Sequence, residues 1–234
     1  LPLSTKTIKN SGGRLCGGEE TVTLEEAFRL SCNIPYAELG LELGETAIGS
    51  LADDFGFGAT LEIPLPVTPS NFPRGLDDAQ LMLSSFGQFD VRVTPLQVAM
   101  VSAGVANDGV LMKPNLVDQV IAPDLRVLQS YEPTIYSRPL SSRVAQEMTR
   151  MMVLNVSQGV AGAAGIPGIS VAGKTGTAET GIGDGRSFWF TGFAPAENPE
   201  IVIAVVIEGT SAEGTANSVA SPVAKTIMEA VISR

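Results

Sequence analysis

The residues best suited to chemistry in this sequence lie in two short polar motifs. Lys174-Thr175-Gly176-Thr177 sits on an apolar segment, and Ser31-Cys32-Asn33 lies far upstream of it. The sequence contains no histidine, so a Ser-His-Asp triad is impossible. A serine nucleophile in such a site would need a lysine as its proton acceptor. Any serine chemistry here therefore depends on lysine.

The lysine motif also matches the phosphate-binding loop of nucleotide hydrolases. Residues 168–175 fit the pattern G-x-x-x-x-G-K-[ST], and the apolar run 201–207 ends in Glu208, as an acidic strand end would. A phosphate loop, however, needs a helix that begins at the Lys-Thr pair. A glycine-rich stretch follows here, and residues 169–174 alternate as strand residues do. We expect a strand at Lys174 and keep nucleotide binding as the lesser alternative.

Composition and charge restrict the classes of protein and partner. Hydrophobic residues make up 44% of the 234 residues and charged residues 17%, which is typical of a globular protein. The net charge of −10 argues against a nucleic-acid partner. Two cysteines and no histidine give no metal-site pattern, so we expect no metal and no cofactor. The longest apolar runs are too short to cross a bilayer.

The elements that must position the two motifs are helices first and strands afterwards. Thr23 and Glu26 form a capping-box pattern that begins a helix, which places Ser31 and Asn33 at its end or in the following turn. Four prolines make 63–75 a loop. Further helices are predicted over 34–43, 46–55, 95–107 and 141–156.

The hydrophobic period changes after residue 165. Strands are predicted over 169–177, 187–194 and 200–208, and their short connections favour an antiparallel meander. A last helix is predicted over 219–232. The pattern predicts an α+β domain, with a helical part over about 23–157 and a sheet with a terminal helix over about 165–233.

The order of the motifs resembles one known family. The segments are Ser31-Cys32-Asn33, Gly87-Gln88 before Thr94-Pro95-Leu96-Gln97, Ala106-Asn107-Asp108-Gly109, Lys174-Thr175-Gly176-Thr177-Ala178-Glu179, and Trp189-Phe190-Thr191-Gly192-Phe193-Ala194-Pro195. Their order and spacing resemble the transpeptidase domain of class B penicillin-binding proteins, above all the actinobacterial (mycobacterial-type) penicillin-binding protein A group. The resemblance covers essentially all 234 residues, and it implies the fold shared with serine β-lactamases, an antiparallel sheet covered by helices.

The resemblance implies a serine D,D-transpeptidase that cross-links peptidoglycan stem peptides through an acyl-enzyme and is a target of β-lactams. Ser31 would relay a proton to the leaving amine, Asn33 would hold the substrate amide, and Lys174 would supply positive potential. On the Lys174-Thr175-Gly176-Thr177 strand, the Thr175 and Thr177 hydroxyls would bind the substrate carboxylate. The backbone N–H of Thr177 would serve the oxyanion hole.

One part of the family pattern is absent, because no serine is followed three residues later by lysine. We expect the nucleophile and the early strands of the sheet to precede Leu1, so that this chain is the C-terminal portion of one transpeptidase domain. A carboxypeptidase or β-lactamase would share the same chemistry. The alternative from another class is a non-catalytic binding module on the same fold.

The resemblance also implies a place and partners for the protein. It would work at the outer face of the cytoplasmic membrane, tethered by an N-terminal anchor outside this chain. Its partners would be D-Ala-D-Ala stem peptides, β-lactams, a membrane-embedded glycan polymerase, division proteins and its own N-terminal segment. Cys16 and Cys32 are either two free thiols or one disulfide, and work outside the membrane favours the disulfide.

Overall fold

The computed structural model describes residues 1–2, 5–61, 63–179, 185–209 and 214–233. Within them, helices precede a three-stranded sheet, as the sequence predicts. The helices are α1 (Leu24–Leu30), α2 (Ile34–Asp54), α3 (Asp78–Ser84), α4 (Pro95–Ala106), α5 (Ser142–Gln158) and α6 (Ala216–Ile232).

Local sequence signals set the helix ends. The Thr23 hydroxyl accepts the Glu26 N–H at 3.2 Å and the Glu26 carboxylate accepts the Thr23 N–H at 3.1 Å, so the predicted capping box is confirmed. The two helices predicted on either side of Gly44 form one element with a break, because Gly44 has φ 78° and ψ 158°. Helix α3 was missed, although Asp77 and Gln80 form a second capping box.

The main sheet is an antiparallel meander in the order β5-β6-β7. Its strands are β5 (Ala172–Glu179), β6 (Arg186–Ala194) and β7 (Ile201–Gly209). Two small antiparallel pairs were not predicted; they are formed by β1 (Leu111–Met112) with β4 (Ile135–Ser137), and by β2 (Gln119–Ile121) with β3 (Val127–Ser130). Between residues 63 and 75 the described chain holds only isolated bridges, as predicted.

Helices cover both faces of the sheet, which confirms the α+β class. On one face, α6 packs Ala220, Ala224 and Met228 against Phe188 and Phe190 of β6. On the other face, α1, α4 and α5 contribute to a second cluster, whose members include Phe28, Val105, Met152, Ala172 and Phe193. The helices that the structure describes include none long and apolar enough to cross a membrane.

Candidate active site

The two polar motifs meet in the folded chain. The Lys174 ammonium donates a hydrogen bond to the Ser31 hydroxyl oxygen at 2.7 Å, across 143 residues of sequence. A second hydrogen bond of 2.7 Å runs from Lys174 Nζ to the carbonyl oxygen of Thr175. Because Ser31 accepts from the lysine, its own hydroxyl hydrogen remains available to a further acceptor. The contact therefore suits a proton relay.

Strand β5 directs Lys174 toward the helices α1, α4 and α5. Lys174 pairs with Thr191 of β6, so the two side chains share a sheet face. The Thr191 hydroxyl lies 2.6 Å from the hydroxyl of Ser102 on α4. Beside this pair, a Cβ atom on Gly192 would lie 2.2 Å from the Ala172 carbonyl oxygen. The close approach of β6 to β5 next to the lysine therefore requires glycine.

The environment of Lys174 disfavours its charge. Burial lowers the pKa of the Lys174 ammonium to about 8, from an ordinary value near 10.4. The Phe28 ring of α1 lies with its centroid 5.7 Å from Nζ, within the range of a cation–π contact. With a pKa of about 8 the group is mostly protonated at pH 7 and releases its proton more easily than an exposed lysine.

Ser31 occupies the C-terminal cap of α1 in the left-handed conformation, with φ 55° and ψ 47°. Helix α5 holds that end of α1, because the Asn155 side-chain amide donates to the Arg29 carbonyl at 2.8 Å and to the Phe28 carbonyl at 3.3 Å. The Val160 N–H donates to the same Arg29 carbonyl at 3.2 Å. These bonds satisfy carbonyls that a helix end leaves free. They connect the position of Ser31 to α5.

Asn33 begins the next helix rather than ending the first. It is the N-cap residue of α2, with its side-chain amide donating to the Lys9 carbonyl at 2.8 Å. The sequence predicts Ser31 and Asn33 at the end of α1 or in the following turn, and the structure places Ser31 at the C-cap and Asn33 in that turn. The structure joins Cys32, between the two polar residues, to Cys16 by a disulfide. Both cysteines are buried in a cluster with Ala27.

The rest of the lysine motif lies along an open strand edge. No described strand pairs with the outer edge of β5. Thr175 pairs with Phe190, which places it on the opposite sheet face from Lys174, and only 8% of it is exposed. Gly176 pairs with Trp189, and Thr177 is exposed. The strand through Lys174-Thr175 also makes the phosphate-loop alternative wrong, because no helix begins there.

Sequence reasoning missed three residues that support this site. Phe28 could have been found, because it lies three positions before Ser31 on one helix face. Asn10 binds the N–H of Asn33, and Asn155 binds the carbonyls of Phe28 and Arg29 just before Ser31. Both come from distant parts of the chain, and no local spacing marks them. The described residues contain no group of three His, Cys, Asp or Glu side chains that could hold a metal ion.

Comparisons with known proteins show which proteins this chain is similar to. The penicillin binding protein transpeptidase domain matches residues 5–229. Peptidoglycan D,D-transpeptidase PbpA of Mycolicibacterium smegmatis is 39% identical over 99% of this chain and 48% of the relative, and PbpA of Mycobacterium tuberculosis is 37% identical with the same coverage.

Solved structures give the same result. Penicillin-binding protein A from M. tuberculosis, as a ceftriaxone acyl-enzyme complex, has a TM-score of 0.93 at 36% identity and covers 99% of this chain and 53% of its own. The D,D-transpeptidase domain of a peptidoglycan glycosyltransferase from Eggerthella lenta has a TM-score of 0.84 at 34% identity, with 96% of this chain and 57% of its own covered. The chain spans about half the length of the curated relatives it matches. By sequence and fold, the chain belongs to the penicillin-binding protein transpeptidase family.

Proposed function

We propose that the protein is a serine D,D-transpeptidase that cross-links peptidoglycan stem peptides through an acyl-enzyme. The observation that carries this proposal is the 2.7 Å hydrogen bond from Lys174 to Ser31 beside an open strand edge. The named relatives support it, since they are peptidoglycan D,D-transpeptidases, and one solved relative is a ceftriaxone acyl-enzyme. β-Lactams would acylate the same nucleophile.

In the proposed reaction a serine oxygen attacks the carbonyl carbon of the D-Ala-D-Ala bond. The serine proton passes to a lysine and then, through the Ser31 hydroxyl, to the nitrogen of the terminal D-Ala as the C–N bond breaks. An amine of a second stem peptide then attacks the acyl carbon, and its proton returns to the serine oxygen as the serine is released. Lys174, which already donates to Ser31, holds the relay in place and adds positive potential for the substrate carboxylate.

The open edge of β5 would bind the extended substrate peptide. Backbone groups of a rigid strand need little reorganisation when charge develops on the substrate carbonyl. We propose that the Thr177 N–H contributes to the oxyanion hole and that Thr177 binds the carboxylate, as its exposure allows. Gly176 has no side chain, so none projects from the strand between Thr175 and Thr177. We propose that the Thr175 hydroxyl also binds the carboxylate. Because Thr175 is largely buried, the substrate would have to reach this hydroxyl from the strand edge.

The proposal requires a further serine as nucleophile, because none of the serines in these 234 residues is followed three residues later by lysine. We propose that sequence preceding Leu1 supplies this serine and its lysine, together with further strands and an anchor at the outer face of the cytoplasmic membrane. Asn33 would hold the substrate amide and orient that second lysine. A glycan polymerase and division proteins would be the protein partners.

A labelled penicillin tests the proposal in the protein that carries this chain. We expect a covalent label that survives denaturation and shows in the intact mass as one added penicillin. The alternative, a non-catalytic module that kept the cleft and lost the nucleophile, predicts no label. Incubating the labelled protein with a D-amino acid acceptor and with water alone separates a transpeptidase from a carboxypeptidase or β-lactamase.

A further inference from the structure

The segment before α1 grips the backbone of the turn that carries Ser31 and Asn33. The Asn10 side-chain oxygen accepts hydrogen bonds from the N–H groups of Asn33 at 2.9 Å and Ile34 at 3.0 Å. Its side-chain nitrogen donates to the Arg14 carbonyl at 3.2 Å. Asn10 is only 8% exposed. The oxygen and the nitrogen of this buried side-chain amide are therefore both hydrogen-bonded to nearby backbone.

The two N–H groups bound by Asn10 are those at the start of α2. The first N–H groups of a helix have no partner inside it, and the N-cap side chain usually provides one. Asn33, the N-cap residue of α2, makes no such bond, because its side chain donates to the Lys9 carbonyl instead. The cap of α2 is therefore supplied by a residue 23 positions earlier in the chain.

The same turn contains the conformation that needs support. Ser31 is left-handed, with φ 55°, which residues other than glycine adopt at a cost unless their surroundings hold them there. From the α5 side, Asn155 holds the carbonyls before Ser31. From the other side, Asn10 holds the amides after it. The hydroxyl that contacts Lys174 lies between these two anchors.

We propose that Asn10 is a positioning residue for the Ser31–Lys174 relay. It fixes the backbone on the C-terminal side of the turn, so that the Ser31 hydroxyl stays within hydrogen-bond distance of Lys174 and the Asn33 side chain keeps its orientation. This inference rests on the proposed transpeptidase function for its effect on rate, and on the structure alone for its effect on the turn.

The test compares Asn10→Leu, which removes the acceptor at similar size, with Asn10→Asp, which keeps an acceptor suited to a helix N-terminus. The acylation rate constant and the initial binding constant are measured separately with a labelled penicillin on the protein that carries this chain. Asn10→Leu is expected to slow the chemical step about 10-fold to 100-fold, the scale of a misplaced proton-transfer group. Asn10→Asp loses the donor to the Arg14 carbonyl but keeps the oxygen that both N–H groups require, so it is expected to stay within about threefold of the parent.

Glu45 provides a matched control away from the motifs. Its carboxylate also accepts two consecutive backbone N–H groups, from Gly75 at 2.9 Å and Leu76 at 2.7 Å. Glu45→Leu should lower the melting temperature and leave the acylation step unchanged. Equal slowing in Glu45→Leu, equal slowing in Asn10→Asp, or parent-like acylation of Asn10→Leu would each overturn the proposal. If Asn10→Leu fails to fold, Asn10→Ser, whose shorter side chain cannot reach both amides, takes its place.

Hydrogen exchange separates this inference from the proposed function. Peptides covering residues 31–36 should exchange faster in Asn10→Leu than in the parent or in Asn10→Asp, whether or not the protein reacts with penicillin. An unlabelled parent protein with this exchange pattern would refute the transpeptidase function and leave Asn10 as the support of the turn. Unchanged exchange in Asn10→Leu would refute the role of Asn10.

Discussion

Lys174 places one ammonium group among three neighbours that differ in kind. The Ser31 hydroxyl and the Thr175 carbonyl accept its hydrogen bonds, and the Phe28 ring covers it. None of the three is an anion, and in the part of the chain that the structure describes no counter-ion offsets the burial that lowers the pKa of Lys174. Under the proposed function, a substrate carboxylate would provide that charge. The site is therefore electrostatically suited to an anionic ligand.

Removing either partner of the relay should stop most of the chemistry. We predict that Lys174→Ala and Ser31→Ala each slow penicillin acylation by at least about a hundredfold, the scale expected for lost proton transfer or charge stabilisation. Stopped-flow or time-course labelling of the protein that carries this chain measures the effect. Lys225→Ala, a change of a surface lysine on α6, is the control. Near-normal acylation by both site variants would contradict the assigned roles.

The pKa of Lys174 predicts a pH dependence with a definite sign. The ammonium form is the one that donates to Ser31 and attracts a carboxylate, and it is lost as the pH rises through about 8. The second-order acylation constant, which reports the free enzyme, should therefore fall about tenfold per pH unit above that value. Lys174→Arg, which stays charged, should lack this descending limb even if it is slower throughout. A limb that persists in Lys174→Arg would assign the titration to another group.

At the scale of elements, the ends of α1 and α5 form one joint. A Cβ atom on Gly159, just after α5, would lie 2.4 Å from the Arg29 carbonyl oxygen and 2.7 Å from the Asn155 carbonyl oxygen. Both contacts are with backbone, which has little freedom to retreat. The close approach of α5 therefore determines the position of the C-terminal end of α1, which carries Ser31.

We predict that Gly159→Ala forces this joint apart. The expected cost is about 1–3 kcal/mol of unfolding free energy, typical of overpacking, together with slower acylation because Ser31 moves away from Lys174. Gly162→Ala is the matched control three residues later, since a Cβ there meets nothing closer than 3.7 Å. Gly159→Ala should have both the lower free energy of unfolding, measured with denaturant, and the slower penicillin labelling of the two variants. Equal behaviour of the two variants would refute the joint.

The disulfide ties the loop before α1 to the turn after it. Closing a loop of 16 residues stabilises the folded state by about 3 kcal/mol in the chain-entropy model. We predict that a double Cys16→Ala, Cys32→Ala variant unfolds at lower temperature and loses its sensitivity to reductant, while the parent loses stability when reduced. Thiol titration of the denatured, unreduced parent should find no free thiol. Two titratable thiols would refute the bond.

The sequence predicted the elements that have local signals and missed those that lack them. The capping box at Thr23 and the break at Gly44 follow from residue type alone, and both are present. Strands β1 to β4 have two to four residues each, too few to establish an alternating pattern. The contact of Ser31 with Lys174 was predictable from paired motifs. The role of Asn10 was not predictable, because a helix cap supplied from a distant position has no characteristic sequence spacing.

At the scale of the whole molecule, the sheet ends in two strand edges that no described strand covers, at β5 and at β7. The β5 edge suits a substrate peptide. Strand β7 is rich in branched apolar residues from Ile201 to Ile207, and an exposed apolar edge is a template for association between chains. The two edges therefore differ in character, because the β5 edge is proposed to bind a ligand and the apolar β7 edge is open to pairing with another chain.

We predict that the isolated 234-residue chain aggregates and that, if strands precede it as proposed, a chain that includes them aggregates less. Light scattering and size-exclusion chromatography of both chains at several concentrations give the measurement. Replacing Val206 of β7, which is half-buried on the sheet face away from the α6 cluster, by lysine should reduce association of the isolated chain, because charge on an edge strand opposes pairing. A monomeric, stable isolated chain would show that the β7 edge needs no cover.

The hydrogen bond between Lys174 and Ser31 joins the sheet to the helical layer. The proposed reaction with penicillin therefore depends on correct packing of the two layers. A molecule whose helices packed one side chain out of place on the sheet would keep its secondary structure but would lose this hydrogen bond and, with it, the proposed reaction with penicillin. Under the proposed function, the labelled fraction of a preparation would therefore count the correctly assembled molecules, which circular dichroism does not distinguish.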